Sequence, residues 1–559
     1  MPSLYPPNPQ TALEPDDPYA RTEQTFPTLS PAMVERLAAY GEEEAFEPGQ
    51  LLFKRGDRHV DFFLVKEGHV EIFATGVHGE ITIVTLHDER QFTGELDLLN
   101  GREVLVSARA QGPARVVRIR RNDFPRMVSA EPDIGEIILR AFILRRVGSI
   151  RHPSGGVLVV GSGHDGDTLR LQRFMQRNGY PFRLLDTDSE AVAAEFQVSC
   201  TVTPEQMPVV LSPGRPALFN PNNAVLADAL GLTESFDADR IYDVIVVGAG
   251  PAGLAAAVYA ASEGLDTLVV ESLAPGGQAG TSSKIENYLG FPTGISGQSL
   301  AGRAQVQAQK FGARLAISRP VVRLDCSDQP FVLHLEGGQH TRARAVIVAS
   351  GARYRTLDVP DRERFEGHGI HYAATPMERQ LCANEEVAVI GGGNSAGQAA
   401  VFLSRTVARV HMLVRGAGLA ATMSDYLVQR ITSTPNITLY THTEVAALEG
   451  ESLISHVTFR NRQSGKTQRH HIGNVFVMVG AEPNTEWLQG CVEIDRTGFI
   501  RTGVGADGQP LSSPYATSLP GVWAVGDVRS GSVKRVASGV GEGSVVVQSV
   551  HQYLNPSNW

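Results

Sequence analysis

IYDVIVVGAGPAGLAAAVYAASEG, residues 241–264, decides the fold of the longest part of this chain. It reads as a buried strand, a tight glycine turn and a helix. Gly248, Gly250 and Gly253 make G-x-G-x-x-G, with Pro251 and Ala252 opening the helix. The first glycine permits the turn, the second lets the backbone approach a pyrophosphate, and the third lets the helix pack on the strand. The helix N-terminus then faces the phosphates. The next strand, TLVVE at 267–271, ends on Glu271, where an acid can bind a ribose hydroxyl. Glycines alone would be weak evidence; strand, helix and acid in register point to a bound dinucleotide.

A second unit of the same design follows about 140 residues later, in EEVAVIGGGNSAGQAAVFLS, residues 385–404. Gly391 and Gly393, with Ala396 in the third small position, fit the same geometry. Its partner strand, ARVHMLVRGAG at 408–418, ends without an acid but carries Arg415. An acid there favours NADH and an arginine favours NADPH. The second fingerprint lies inside the span of the first unit, so one nucleotide domain is expected to be inserted in the other.

Three further stretches carry a resemblance. GGQAGTSSKIENYLGFPTGISGQSLAGRAQVQAQKFGA (276–313), VIVASGA (346–352) and VWAVGDVRSGSVKRVASGVGEGSVVVQSV (522–550) resemble segments of the low-molecular-weight thioredoxin reductase family. The similarity covers roughly residues 240–555. It implies FAD and NADPH (or NADH) as cofactors. By position it places Gly277, Gln278 and Asn287 along the flavin, with Ser350 and Gly351 at the junction strand. It puts Gly526 and Asp527 on ribityl or phosphate oxygens, and Arg535, Val536 and Ala537 as a helix start at the isoalloxazine, where the dipole stabilises reduced flavin. It assigns Gly392, Gly393, Asn394, Ser395 and Arg415 to the nicotinamide dinucleotide. Two positions where the family offers further basic residues hold Val414 and Leu419.

The family's redox cysteine pair is absent. The corresponding segment is GIHYAATPMERQLC, residues 369–382, with Ala373 and Pro376 in the cysteine positions. Neither has a thiol, so neither passes electrons to a dithiol substrate. The chain has four cysteines, Cys200, Cys326, Cys382 and Cys491, and no C-x-x-C. Widely spaced thiols of this kind are expected to be reduced and buried. Tyr372 and His371 stand beside the missing pair. A ring at Tyr372 could stack on the flavin and His371 could donate to a flavin carbonyl; the alternative is that both line a subdomain junction.

Two modules precede this unit. FEPGQLLFKRGD (46–57), FFLVKEGHVEIF (62–73) and FTGELDLLNGREVLVSARA (92–110) resemble a cyclic-nucleotide-binding domain. Ser30 with Pro31 signals its opening helix. Glu95 matches the family's ribose-binding acid, but Val104 stands where its phosphate-binding arginine belongs, with Arg102 as a substitute nearby. Losing a buried charge partner costs roughly 2–5 kcal/mol, about 30- to 3000-fold in affinity. Cyclic nucleotide binding is therefore doubtful. GSGHDGDTLRLQRFMQRNGYPFRLLDTD (161–188) and MPVVL (207–211) resemble the glutaredoxin branch of the thioredoxin fold, with Pro208 as its cis-proline and no cysteine near Asp165–Thr168.

The expected architecture is α/β: a disordered segment at 1–28, a β-rich cyclic-nucleotide-binding-like domain at 29–150 and a thioredoxin-fold-like domain at 153–233. An FAD subdomain at 240–355 and 480–559 and an inserted NAD(P) subdomain at 356–479 follow. A net charge of −10 argues against nucleic acid, and no long apolar run argues for a membrane. No metal site is written, and a cytoplasmic location is expected. The apolar stripe of EIILRAFILRRV, 136–147, suggests a homodimer or an intramolecular core. Three functions stay open. The first is an FAD-dependent NAD(P)H oxidoreductase that reduces a non-disulfide acceptor, small molecule or protein. The second is a redox-sensing or scaffolding flavoprotein. The third is a thioredoxin-disulfide reductase working without an internal C-x-x-C.

Overall fold

A computed structural model describes residues 17–556. It leaves aside 190–205, 234–236, 238 and the short positions 78, 101, 154–155, 283, 367–368, 452, 489 and 506. The described residues fall into two compact units. One lies within Met1–Gly163, Leu171–Asp237 and Val306–Arg319, the other within His164–Arg170, Ala238–Gln305 and Pro320–Trp559.

The first longer helix of the N-terminal unit is Pro31–Ala38, capped by Ser30, whose Oγ accepts from Met33 N at 3.3 Å. Two small antiparallel sheets follow. Phe62–Glu67 and Glu42–Phe46 flank Ala114–Ile119, while Leu51–Phe53, Ser107–Ala110, Val70–Thr75 and Ile81–His87 form the other sheet in that order. Alternate side chains meet in an aromatic core. Phe62 packs on Phe92 and Phe124 with centroids 5.5 and 5.4 Å apart, and Phe124 packs on Phe142 at 6.0 Å. Phe142 belongs to the helix Pro132–Arg151, with Ile134, Ile138 and Ala141 buried beside it. The apolar stripe thus serves the core of its own chain and lends no support to a dimer.

Residues 17–28 depart from the expected disordered lead. Pro18–Ala20 and Thr22–Thr25 are helical turns. Asp17 is buried, 2.7 Å from His152 Nε2, and a Cβ on Gly148 would lie only 2.7 Å from the Tyr19 ring. Glycine at that helix position lets the leading segment dock.

The sheet that follows has the order Leu218–Phe219, Val209–Leu211, Val157–Gly161, Phe182–Asp186. The last two strands run parallel and the other pairings are antiparallel. Pro208 is cis, as expected.

In the second unit, Thr267–Glu271, Ile241–Val247, His340–Val348, Phe331–Leu335 and Val321–Asp325 adjoin in that order, and Val522–Ala524 returns to pair parallel with His340–Val348. The parallel strands are continuous Val/Ile runs because helices cover both faces. The helix Pro251–Ser262 is buried almost all round. Helix Val536–Leu554 approaches it closely: a Cβ on Gly543 would lie 2.1 Å from Ala252 O. Between these pieces runs a second, fully parallel sheet in the order Ile370–His371, Asn474–Val477, Glu386–Ile390, Arg409–Leu413, Ile437–Tyr440. Its connections to the first sheet are Ala352–Tyr354 and Ala481–Pro483, which pair antiparallel. One nucleotide-type sheet is inserted in the other, as the spacing of the two fingerprints required.

The expectation of reduced cysteines fails for one pair. Cys326 and Cys491, 165 positions apart in sequence, form a disulfide with Cα atoms 6.1 Å apart. Folding brings the loop after Val321–Asp325 beside the turn after Glu486–Leu488, a proximity that sequence distance conceals. Cys382 is free and buried; Cys200 lies outside the described residues.

Candidate functional site

The first glycine turn has the shape its spacing promised. Gly248 has φ 106°, and a Cβ there would lie 2.3 Å from Ala349 O. A Cβ on Gly253 would lie 1.9 Å from Gly248 O. Both glycines are required by packing within the protein. Gly250, the helix N-cap, differs: the nearest atom to its Cβ position is Gly277 Cα, 4.0 Å away. The space in front of Gly250 is open, whereas a Cβ on Gly277 would lie 3.1 Å from Gly250 Cα, and the helix start has no side-chain cap. Glu271 ends its strand buried, accepting from Ala249 N at 2.7 Å and Leu273 N at 2.9 Å. It braces the glycine turn and stands where a ribose would arrive.

Gly526 has φ 75° and donates its N–H to Glu542 at 2.6 Å, which Arg529 holds at 2.7 Å. Neither Glu542 nor Arg529 was singled out by sequence; their spacing from Gly526 carries no motif. Asp527 is different. Burial raises its carboxyl above the usual range, with Lys534 opposing, and no described residue donates a hydrogen bond to it. A half-buried carboxylate of this kind suits the hydroxyls of a ribityl chain. Arg535 is the N-cap of the helix Val536–Leu554 and gives no side-chain cap, so the amides at Val536 and Ala537 remain available. Ser350 Oγ donates to Asn484 O at 2.7 Å and Asn484 Nδ2 returns to Ser350 O at 2.9 Å, locking the junction where Gly351 has φ 64°. Gln278 Nε2 donates to Ala352 O, and Asn287 is exposed on its loop. An open glycine cradle at Gly250, an uncapped helix start and a half-buried acid to which no described residue donates fit FAD.

The second cradle repeats the pattern. Gly391 has φ 138°, and a Cβ would lie 2.2 Å from Met478 O. Gly393 caps the helix Asn394–Leu403, with nothing within 4 Å of its Cβ position. Ala396 is buried. Thr422 Oγ1 donates to Gly392 O at 2.7 Å, and Asn394 Oδ1 accepts from Ser424 N at 2.8 Å. Sequence reasoning missed this Thr422–Ser424 loop because its residues are common in any turn. Ser395 and Arg415 are exposed at the cradle, whereas Val414 and Leu419 are core residues. These positions fit a second dinucleotide with one exposed arginine near its ribose end. Arg430 pairs with Glu286 at 2.7 Å, tying the helix Asp425–Ser433 to the segment that bears Asn287.

The segment in place of the redox pair is built for packing. Pro376 starts the helix Pro376–Leu381, which Thr375 and Glu378 close with a capping box. Cys382 caps its far end, fully buried, and burial with Glu385 and Glu378 pushes its thiol up to about 12. Such a thiol is an inert packing group. Tyr372 OH donates to Glu366 at 2.7 Å. His371 is buried, stacks on Phe476 at 4.9 Å and sits 2.7 Å from Asn474 Oδ1. Both polar ends have protein partners inside the inserted sheet's region.

In the N-terminal unit, Glu95 lies 2.9 Å from Arg146, which also holds Asp97 at 2.7 Å. Arg102 is buried, with Nη1 donating to Asn178 O at 3.2 Å. Neither the acid nor the substitute arginine is placed as a free nucleotide ligand.

Two dinucleotide-type cradles, one inserted in the chain of the other, with an uncapped helix start and a half-buried acid beside the first, define the class of flavin- and nicotinamide-dependent oxidoreductases. Residues 242–543 match the family described as pyridine nucleotide-disulphide oxidoreductase, and residues 43–131 match the cyclic nucleotide-binding domain. A thioredoxin reductase of Treponema pallidum is 36% identical over 314 residues, 56% of this chain and 97% of that protein. A protein of Bacillus subtilis named NADH dehydrogenase is 33% identical over 313 residues, 56% of this chain and 58% of that one. The crystal structure of Lactococcus lactis thioredoxin reductase in its FR conformation superposes with a TM-score of 0.52 at 28% identity, covering 56% of this chain and 99% of that one. The chain belongs to the pyridine nucleotide-disulphide oxidoreductase family and is a thioredoxin reductase-like, FAD-dependent NAD(P)H oxidoreductase. No described helix is long and apolar enough to cross a membrane.

Proposed function

We propose that this oxidoreductase passes electrons from NADPH to an acceptor that is not a disulfide and that meets the flavin directly. One observation carries the proposal: the positions of the family's redox pair are Ala373 and Pro376, and the chain has no C-x-x-C. Cys382 is buried with its thiol raised to about 12, and Cys326 and Cys491 are bonded to each other. FAD, bound by the cradle of Gly248, Gly250, Pro251, Ala252, Gly253, Glu271 and Asp527, would supply hydride acceptance and onward electron transfer. The residues do the rest. Gly250 leaves room for the pyrophosphate, with Gly277 held close beside it, Asp527 orients ribityl hydroxyls, and the helix start at Arg535–Ala537 stabilises charge on the reduced ring. Arg415 favours NADPH, because a lone guanidinium can pair with a 2′-phosphate. The relative named NADH dehydrogenase favours an acceptor other than thioredoxin.

The proposal includes the domain limits 29–150, 153–233, 240–355 with 480–559, and 356–479. It also includes a cytoplasmic setting and a homodimer, the last now resting on family likeness alone. Tyr372 and His371 are proposed to shape the junction rather than to touch the flavin, since both polar ends are engaged.

Anaerobic NADPH added to the purified yellow protein tests this reading. Bleaching followed by reoxidation with a quinone such as menadione, and none with oxidised thioredoxin, is expected. Reoxidation by thioredoxin alone would favour the second reading, a disulfide reductase without its own relay, which the thioredoxin reductases among the relatives make worth testing.

A further inference from the structure

The Cys326–Cys491 bridge belongs to neither glycine cradle. Both of its residues are part-exposed, unlike the fully buried Cys382. Accessible bridges are the ones that exchange with thiols in solution.

Cys491 ends an arm that starts at the junction between the two nucleotide sheets. The junction strands Ala352–Tyr354 and Ala481–Pro483 pair antiparallel. Directly after them, Asn484 N donates to Gly351 O at 3.1 Å, beside the two bonds that join Asn484 to Ser350. Glu486 pairs with Arg353 of the facing strand at 2.7 Å. Trp487 and Leu488 are buried, and Trp487 Nε1 donates back to Asn484 O at 3.1 Å. Cys491 N donates to Leu488 O at 2.9 Å. The arm is thus fastened to the junction at its start. At its end the bridge fastens it to the loop after Val321–Asp325, a strand that pairs with Phe331–Leu335 in the first sheet.

Gly248 follows a strand of the first sheet and Gly391 a strand of the second, so these connections hold the two cradles relative to each other. Hydride passes only while both rings are held in a near-attack geometry. A junction that is looser spends less time there, so its stiffness bears on the rate. Opening the bridge removes a covalent tie and leaves Trp487 and Leu488 buried. The arm should therefore loosen without unfolding of the domain.

We propose that Cys326–Cys491 is a thiol-exchange site: a dithiol from outside the chain reduces it, and its state sets the stiffness of the junction between the two nucleotide sheets. A thiolate of the dithiol attacks one sulfur, and the other cysteine leaves as a thiolate and takes up a proton. The second thiol of the dithiol then closes the donor's own disulfide and releases the remaining cysteine. Two electrons and two protons pass to Cys326 and Cys491, and the donor leaves oxidised. The site is separate from the positions of the family's redox pair, Ala373 and Pro376. It holds whatever acceptor the flavin serves.

The test uses the full-length flavoprotein under argon with dithiothreitol as the dithiol. Without denaturant, and within about an hour, two new iodoacetamide-reactive thiols should map to Cys326 and Cys491. Amide exchange should then rise about tenfold or more at Asn484, Leu488 and Cys491 and stay unchanged in Ile241–Val247 and Glu386–Ile390. After removal of the dithiothreitol, stopped-flow reduction of the flavin by NADPH should be about threefold or more slower, and reoxidation with diamide should restore it. The double variant Cys326→Ser, Cys491→Ser should keep the flavin spectrum, match the reduced protein in rate and respond to neither reagent. A bridge that opens only in denaturant, exchange that rises evenly through the flavin-binding unit, flavin reduction that is unchanged or faster, or opening by NADPH alone would each overturn the proposal.

Discussion

Gly250→Ala separates a glycine needed by a ligand from one needed by the fold. Gly250 has φ −70° and ψ 179°, a backbone conformation open to any residue, and its Cβ position is clear of protein by 4.0 Å. The methyl therefore costs the apoprotein little, within about 0.5 kcal/mol. It occupies the space through which a pyrophosphate reaches the helix amides. Pushing the phosphates outward by roughly a methyl's width removes one or two charge-assisted bonds, at about 1.5–3 kcal/mol each. FAD affinity should fall about 10- to 100-fold per bond lost. Gly253→Ala should behave oppositely. Its Cβ would lie 1.9 Å from Gly248 O, so the helix must lift from the strand and the apoprotein should lose about 1–3 kcal/mol or more. Flavin is removed, both apoproteins are unfolded in urea, and FAD is titrated back by fluorescence quenching. Unchanged FAD affinity in Gly250→Ala, or a loss above about 2 kcal/mol in its apoprotein stability, would refute the reasoning.

Four other outcomes follow from the geometry. Arg415→Ala should raise KM for NADPH about tenfold and leave NADH unaffected, read from flavin reduction rates. Cys382 should resist alkylation by iodoacetamide from pH 6 to 9, because its thiol ionises only near about 12, and Cys382→Ser should keep flavin reduction intact. Asp495, despite an opposing burial effect, is held down to about 2 by Ser530, Thr497 and the backbone N–H of Phe499. A depressed carboxyl contributes stability above its unfolded pKa of about 3.9 that is lost as pH falls through the folded value. Asp495→Asn should therefore be less stable than the parent at pH 5 and equal to it near pH 2, measured by denaturant unfolding. Replacing both Cys326 and Cys491 by Ala should destabilise the flavin-binding unit by about 2–5 kcal/mol, since the bridge closes a long loop.

Local signals made the nucleotide cradles legible. A buried Val/Ile strand, a turn that only glycine can make and a helix with small residues are all set by neighbours in sequence. The cis Pro208 was expected from the resemblance of its segment to the thioredoxin fold, while the order of its sheet was not read from the sequence. What stayed hidden depends on contacts far along the chain. The proline-rich lead looked disordered because its anchors, His152 for Asp17 and Gly148 for Tyr19, lie more than a hundred positions away. The helix stripe of 136–147 read equally well as a dimer face or a core until Phe142 was seen among Phe92 and Phe124. Arg145 and Arg146, near the end of that helix, are both buried, Arg146 against Glu95 and Asp97, which no local sequence signal marks. The cysteine bridge could not be read because pairing depends on two loops meeting, not on spacing.

Electron counting reaches the core of the account most directly. Anaerobic titration of the flavoprotein with NADPH should bleach the flavin at one equivalent per chain, with no further uptake and no new thiols beyond that of Cys382 and Cys200. Uptake of a second equivalent before bleaching is complete, with appearance of two more reactive thiols, would show a disulfide in communication with the flavin and contradict it.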